Sequence, residues 1–409
     1  VLNAIWIGFF LIAFAMGLGK LIFLGQPDVF AQMMKAAFDM SRTAFEIALG
    51  LTGVMALWLG VMRIGEHAGF LQFLTRLLNP LFARLMPEVP PNHPALGSIT
   101  MNMAANMLGL DNAATPMGLK AMRELQMLNP SPDTATNAQI LFLVINASSV
   151  TLLPITIFTY RAQLGAADPT DVFIPILIAT YASTLVGLLA VAAMQRINLL
   201  DRVVLAYLGG ITLLVAGIVA YFAQLDPQTM QRQSAFASNF LLFSLVVGFL
   251  AGAMVKRVNA YEAFIEGAKE GFHIAVGIIP YLVAMLVAIG VFRASGAMEA
   301  ALGGVRWLVG FMGLDARFVE GLPTALMKPL SGSGARAMMI DTMKTFGPDS
   351  FAGRLASVVQ GSTETTFYVL AVYFGAVGIR RVRHALACGL LADLGGFVAA
   401  VFVAYLFFG

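Results

Sequence analysis

The chain has 409 residues, 59% hydrophobic and only 11% charged, with a mean hydropathy of +0.83. Soluble domains carry charge on about a quarter of their residues, so this little charge cannot coat a large soluble fold and a polytopic membrane protein follows. The net charge of +3 is small, and no basic cluster with interleaved aromatics occurs, which excludes nucleic acid as the expected partner.

Cys388 is the one cysteine, so no internal disulfide or cysteine metal site is expected, and it reads as a small apolar helix residue. His67, His93, His273 and His384 are scattered without a second ligand at helical spacing, so no metal site is expected. No nucleophile–base pair stands out either, so the expectation is a protein that is not an enzyme and has no cofactor beyond a sodium ion.

A span takes about 20 apolar residues. On that rule the chain predicts helices over Leu2–Leu24, Thr43–Met62, Thr136–Tyr160, Val172–Met194, Val203–Gln224, Ala235–Val255, Gly271–Phe292, Ala352–Ala376 and Val382–Phe408. The first run resembles a signal peptide at Ala13-Phe14-Ala15, but it lacks a basic start and stays apolar beyond, so an uncleaved span is expected. Phe30–Arg42 and Ala260–Glu270 read as short segments that do not span. Gly69–Met86 is amphipathic, with Arg76 and Arg84 beside its apolar stripe, and Gly296–Met312 has a similar mix; both read as helices lying in the interface.

Each amphipathic helix is followed by an interrupted apolar segment. Pro94–Leu128 is broken around Gly109-Leu110-Asp111-Asn112 and Thr115-Pro116, and Gly321–Phe346 is broken at KPLSGSGARAM, Lys328–Met338. Each half is too short to cross a bilayer, so both read as re-entrant hairpins. The order occurs twice. Gly60-Val61-Met62-Arg63 answers Gly290-Val291-Phe292-Arg293, and Asn146–Thr151 answers Gln360–Thr365, a polar cluster in mid-helix each time. The expected fold is therefore an all-α polytopic membrane protein of two repeats, 1–200 and 201–409, the second opened by the extra helix Val203–Gln224. With that helix, an odd number of crossings separates equivalent points, so the repeats have inverted topology. An N-terminus inside places Arg196, Arg202, Lys256, Arg257, Arg380, Arg381 and Arg383 in cytoplasmic loops, leaving little beyond Arg161 and Arg232 outside, which is the positive-inside bias.

The polar clusters supply the candidate site. Amides at Ser331-Gly332-Ser333-Gly334 would head a helix over Ala335–Phe346, and a helix amino end flanked by Lys328 and Arg336 suits a carboxylate or phosphate. A cap and turn with both cations snorkelling is the structural alternative. Glu364, within QGSTETT beside Gln360 and Thr363, sits in an apolar helix, where a buried carboxylate must be paired or protonated. It would pair with a cation, meet an amine or carry a proton; a structural ion pair is its alternative. Asn146, Ser148, Ser149 and Thr151 precede Pro154, which removes a backbone hydrogen bond and can open the helix, although Ser and Thr in such helices often bond only to backbone. Asp111, Asn112 and Thr115 lie at the first break. There Asp111 either caps the second half-helix or, with freed carbonyls, holds a small cation such as sodium.

TMNMAANMLGLDNAATPMGLKAM and NASSVTLLP in the first half resemble spore maturation protein A, and KPLSGSGARAMMIDTM and VVQGSTETTFYVLAVYFG in the second resemble spore maturation protein B. The chain looks like a fusion of the two, and both belong to a group with the nucleoside-recognition, or gate, domain, similar to concentrative nucleoside transporters. The resemblance implies an elevator-like transport domain, here Pro94–Met194 and Gly321–Phe408, in a multi-pass bacterial plasma membrane protein, and a homotrimer. The acidic nucleoside-contacting motifs of true nucleoside transporters are absent at the matching places. The expected function is a secondary transporter of a small anionic or zwitterionic organic solute coupled to sodium or a proton, with a nucleoside-type transporter or a non-transporting scaffold in envelope or spore maturation as alternatives.

Overall fold

A computed structural model describes residues 2–109, 111–149 and 151–409, with side chains for all of these except 2 and 111–113. Every regular element among them is helical, and one isolated bridge joins Thr134 to Arg381. The order is α1 (Leu2–Leu24), α2 (Val29–His67), α3 (Phe70–Leu85), α4 (Pro94–Met107), α5 (Asp111–Met127), α6 (Asn137–Ala147), α7 (Ile155–Gln163), α8 (Phe173–Gln195) and α9 (Arg202–Phe222). The second half runs α10 (Pro227–Val255), α11 (Ala260–Gly277), α12 (Ile279–Ala294), α13 (Ala297–Phe311), a 3-10 turn at Arg317–Gly321, α14 (Leu322–Met327), α15 (Gly332–Phe346), α16 (Phe351–Ser362), α17 (Thr366–Ala376) and α18 (Ala385–Phe408).

Among the described residues, seven stretches are long and apolar enough to cross a membrane: α1, α2, α8, α9, α10, α11 with α12, and α18. The apolar sides of α1 and α9 are largely exposed, as lipid-facing helices require. The two remaining expected spans are the interrupted pairs α6–α7 and α16–α17, whose halves are each too short to cross alone. Two expectations need correction. Phe30–Arg42 is not a separate short segment but the first third of α2, because nothing between Met40 and Thr43 stops a helix. Ala260–Glu270 likewise continues through α11, and the chain is punctuated only at Ile278, with Pro280 in the first turn of α12.

The two amphipathic helices begin alike. Gly69 and Gly296 stand immediately before α3 and α13, both left-handed at φ 85° and 84°. Lys256 crowds the first and Lys20 the second, so each amphipathic helix starts from the same kind of corner.

Two packed groups hold the chain. In the first, α2 lies against α11 and α12, and the backbones come close because the interface is glycine. A Cβ at Gly267 would sit 2.3 Å from the Leu59 carbonyl oxygen, and one at Gly271 would sit 2.7 Å from the Ala56 nitrogen. Backbone cannot swing aside as a side-chain tip can. Gly271→Val is therefore expected to cost about 1–3 kcal/mol or more by overpacking, read as a lower thermal midpoint in detergent, whereas Gly277→Ala, with open space around it, is expected to leave the midpoint unchanged. In the second group α8 packs on α18, and α6 and α16 pack against both.

The ends of the interrupted helices are fastened to the opposite half. Arg161 at the end of α7 is 0% exposed and donates to the Pro348 carbonyl at 2.7 Å, to Asp171 at 2.8 Å and to Asp349 at 3.1 Å. Burial pushes the Asp171 carboxyl up, while Arg161 and Arg354 oppose the shift. Beyond α17, the Arg380 and Arg381 amides donate to the Asp133 carbonyl at 2.9 Å, and the Arg381 carbonyl accepts from Ala135 at 3.0 Å. Arg161 is thus a buried clamp rather than a loose loop cation.

Candidate functional site

Four chain breaks converge. The first hairpin, α4–α5, turns at Gly109, which is left-handed at φ 70° and so close to the Leu153 carbonyl oxygen that a Cβ there would lie 2.9 Å from it. Only glycine meets both demands without strain. The first interrupted helix stops at Ala147, places Ser149 in the left-handed region at φ 53° and restarts at Ile155 after Pro154, which has no amide proton to offer. The Leu152 amide donates to the Met107 carbonyl at 2.9 Å, tying this break to the tip of its own hairpin.

The second half repeats the device. The hairpin α14–α15 turns through Lys328, Pro329 and Leu330, and the Phe367 amide at the second break donates to the Pro329 carbonyl at 3.0 Å. Ser331 caps α15, its hydroxyl accepting from the Gly334 amide at 3.0 Å, so the helix begins at Gly332, three residues earlier than expected. The two breaks are then joined to each other: the Glu364 amide donates to the Ala147 carbonyl at 2.8 Å. The Thr180 hydroxyl of α8 donates to the Ser149 carbonyl. These bonds satisfy backbone groups that the interruptions would otherwise leave open in an apolar setting.

At this junction lies a cavity of about 80 Å³ lined by Ser149, Lys328, Arg336, Gln360 and Glu364, with Gly109 at its edge. Lys328 is only 4% exposed. The Gln360 Oε1 is buried without a hydrogen-bond partner among the described residues. The amino end of α7, Ile155 and Thr156, lines the same space and turns the positive end of a helix dipole toward it. A larger hollow of about 310 Å³ adjoins it, sharing Gly109, Ile155, Thr156, Tyr160 and Arg336, and reaching Arg63 and Glu66 of α2 and Glu270 of α11. Arg336 lines both, its guanidinium 5.8 Å from the centre of the Tyr160 ring. This constellation of two cations, a carboxylate, an amide and a helix amino end can hold an anion at one end and a donor-bearing group at the other.

Glu364 corrects an expectation, for it is exposed rather than buried. The break at Thr363–Thr365 takes it out of regular helix. The other candidates sit further off. Asn146 accepts from Asn106 at 2.9 Å and donates to the Phe142 carbonyl at 2.9 Å, bracing the first hairpin against α6. Ser148 is turned to Thr184 at 3.1 Å, and Thr363 is buried against Gly396. The Ser331 and Ser333 hydroxyls lie 3.2 Å apart at the head of α15, outside the cavity lining, and Thr115 is half-buried on α5. The side chains of Asp111 and Asn112 lie outside the described residues.

The nucleoside-recognition (Gate) family is matched over residues 48–164 and 275–380, stretches that take in both hairpins and both interrupted helices. The chain belongs to the Gate family. It is 52% identical over 165 residues to spore maturation protein B of Bacillus subtilis (strain 168), covering 40% of this chain and 91% of that one. It is 36% identical over 183 residues to spore maturation protein A of the same organism, covering 45% of this chain and 90% of that one. No solved structure matches.

Within this Gate protein, sequence reasoning passed over two groups. Tyr160 follows the first break and packs against Arg336, yet an aromatic in an apolar run carries no signal of its own. Asp393 is the only charged residue of α18, and a single carboxylate in a run this apolar was a signal that could have been read.

Proposed function

We propose that this Gate-family protein is a secondary carrier for a small organic solute bearing a carboxylate, anionic or zwitterionic, with the cavity between the two breaks as its binding site. The observation that carries the reading is that Lys328, Arg336, Gln360 and Glu364 from the second half meet Ser149 from the first around one cavity. Two cations and one carboxylate on the same lining suit a solute that carries a carboxylate, with or without an amine. Lys328 and Arg336 take the carboxylate, Glu364 takes an amine, and Gln360 and Ser149 orient what lies between.

In this reading the halves 1–200 and 201–409, like spore maturation proteins A and B respectively, are inverted repeats. The hairpins α4–α5 and α14–α15 are re-entrant from opposite faces of the plasma membrane, and α3 and α13 lie along it. The hairpins and interrupted helices, with α8 and α18, move as one body against α2, α11 and α12 in an elevator-like cycle, driven by a proton or sodium gradient. The amino end is cytoplasmic, following the loop cations. A nucleoside is the second reading, favoured by the description of the matched family.

The test is uptake by purified protein in vesicles under an imposed proton or sodium gradient, with radiolabelled amino acids, dipeptides, dicarboxylates and nucleosides offered singly. Accumulation of a carboxylate solute is expected. Accumulation of nucleosides alone moves the assignment to the second reading. No accumulation of any, with Arg336→Ala and Glu364→Gln leaving the cellular role intact, assigns a scaffold instead.

A further inference from the structure

Asp393 sits on α18 with eight apolar and glycine residues of the helix before it and fifteen after it, and it is 7% exposed. Its Oδ2 accepts from the hydroxyl of Thr366, the first residue of α17, at 2.7 Å. Its Oδ1 is buried with no hydrogen-bond donor among the described residues. The approach is built in. A Cβ at Gly389 would lie 2.7 Å from the Thr366 methyl, and one at Gly396 would lie 2.5 Å from the Thr363 methyl, so glycines one turn to either side let the second break settle onto this carboxylate.

The charges around it come from two places: Lys328 of the second hairpin turn attracts it, and Glu364 of the break repels it. The other packed elements add none. On α8, Ser183 donates to the Ala392 carbonyl at 2.9 Å, and Tyr181 is turned to the Leu208 carbonyl on α9. On α16, Arg354 is engaged by Asp171 at the far end of the helix, and Arg232 of α10 is exposed. No ionisable residue occurs in α6.

We propose that Asp393 is the proton-binding site of this protein, its Oδ1 taking up a proton while Oδ2 keeps its bond from Thr366. A proton needs one free oxygen, whereas a hard metal cation needs about six, and here a single oxygen is open. The proposal rests on the transport reading for its use. With Asp393 ionised, the field of Lys328 is divided between that carboxylate and the cavity; with Asp393 neutral, it is directed to the cavity. Proton uptake therefore favours binding of an anion, and by linkage the anion favours the proton, which couples the two in one direction of transport.

Infrared difference spectra of the purified protein, taken as pH is lowered from about 9 to about 5, decide the matter without any solute. A carboxylic-acid carbonyl band is expected in the wild type and in Glu364→Gln and is lost in Asp393→Asn. Thr366→Val, which removes the hydroxyl and keeps the shape, shifts the band, and it serves where Asp393→Asn fails to fold. Absence of the band in the wild type, its survival in Asp393→Asn, its indifference to Thr366→Val, or the same change produced by sodium at constant pH each overturn the proposal. Wild-type vesicles that take up none of the solutes offered overturn the transport reading instead, and the band still decides whether Asp393 binds a proton.

Discussion

Arg336→Ala is expected to abolish solute binding. Arg336 lines both the cavity and the hollow that adjoins it, so a guest in either lies beside it. Truncating one partner of a desolvated charged contact costs about 2–5 kcal/mol, or at least about 30-fold in affinity. Arg336→Lys keeps the charge but loses the planar fork and the stacking on Tyr160, and an intermediate loss is expected. The measurement is the dissociation constant of whichever carboxylate solute the vesicles accumulate, taken on wild type and both variants. Binding by Arg336→Ala within a few-fold of wild type would remove the cavity from the account of recognition.

The largest effect on stability belongs to Arg161. Its side chain is fully buried, and it satisfies Asp171, Asp349 and the Pro348 carbonyl across the two halves. Arg161→Ala leaves Asp171 with Arg354 as its remaining cation in a dry setting, and breaking such a pair costs about 3–5 kcal/mol. The sign with pH follows from Asp171. Burial already raises that carboxyl, and removing a cation raises it further, so the neutral form is the one the folded variant tolerates. Stability contributed by a group raised in this way is present below the unfolded carboxyl range and is lost as pH rises through the folded value. The variant's deficit in thermal midpoint is therefore expected to widen from acid to neutral pH. A deficit that is flat with pH would mean that the carbonyl contacts, not the ion pairs, carry the clamp.

Spans and breaks were legible in the chain because each depends on neighbours in sequence. A run of apolar residues must be buried or face lipid whatever it packs against, as α8 and α18 illustrate. Pro154, Gly109 and the stretch around Pro329 interrupt a helix by their own geometry, so both hairpins and both interruptions could be placed before any contact was known. The same local logic misplaced Phe30–Arg42, since polarity there marks surface and not an end of helix.

Which side chains share a space was decided only by the tertiary structure. Ser149 and Glu364 are far apart in sequence and become neighbours because an Ala147 carbonyl, freed by one break, is claimed by an amide freed at the other. That exchange turns Ser149 into the cavity and Ser148 to Thr184, a difference no propensity encodes for adjacent serines. It also leaves Glu364 open and brings Asp393, an isolated letter in an apolar helix, onto the hinge of the second break. Backbone polar groups in an apolar medium must find partners, and where the chain is interrupted the partner comes from wherever another interruption lies.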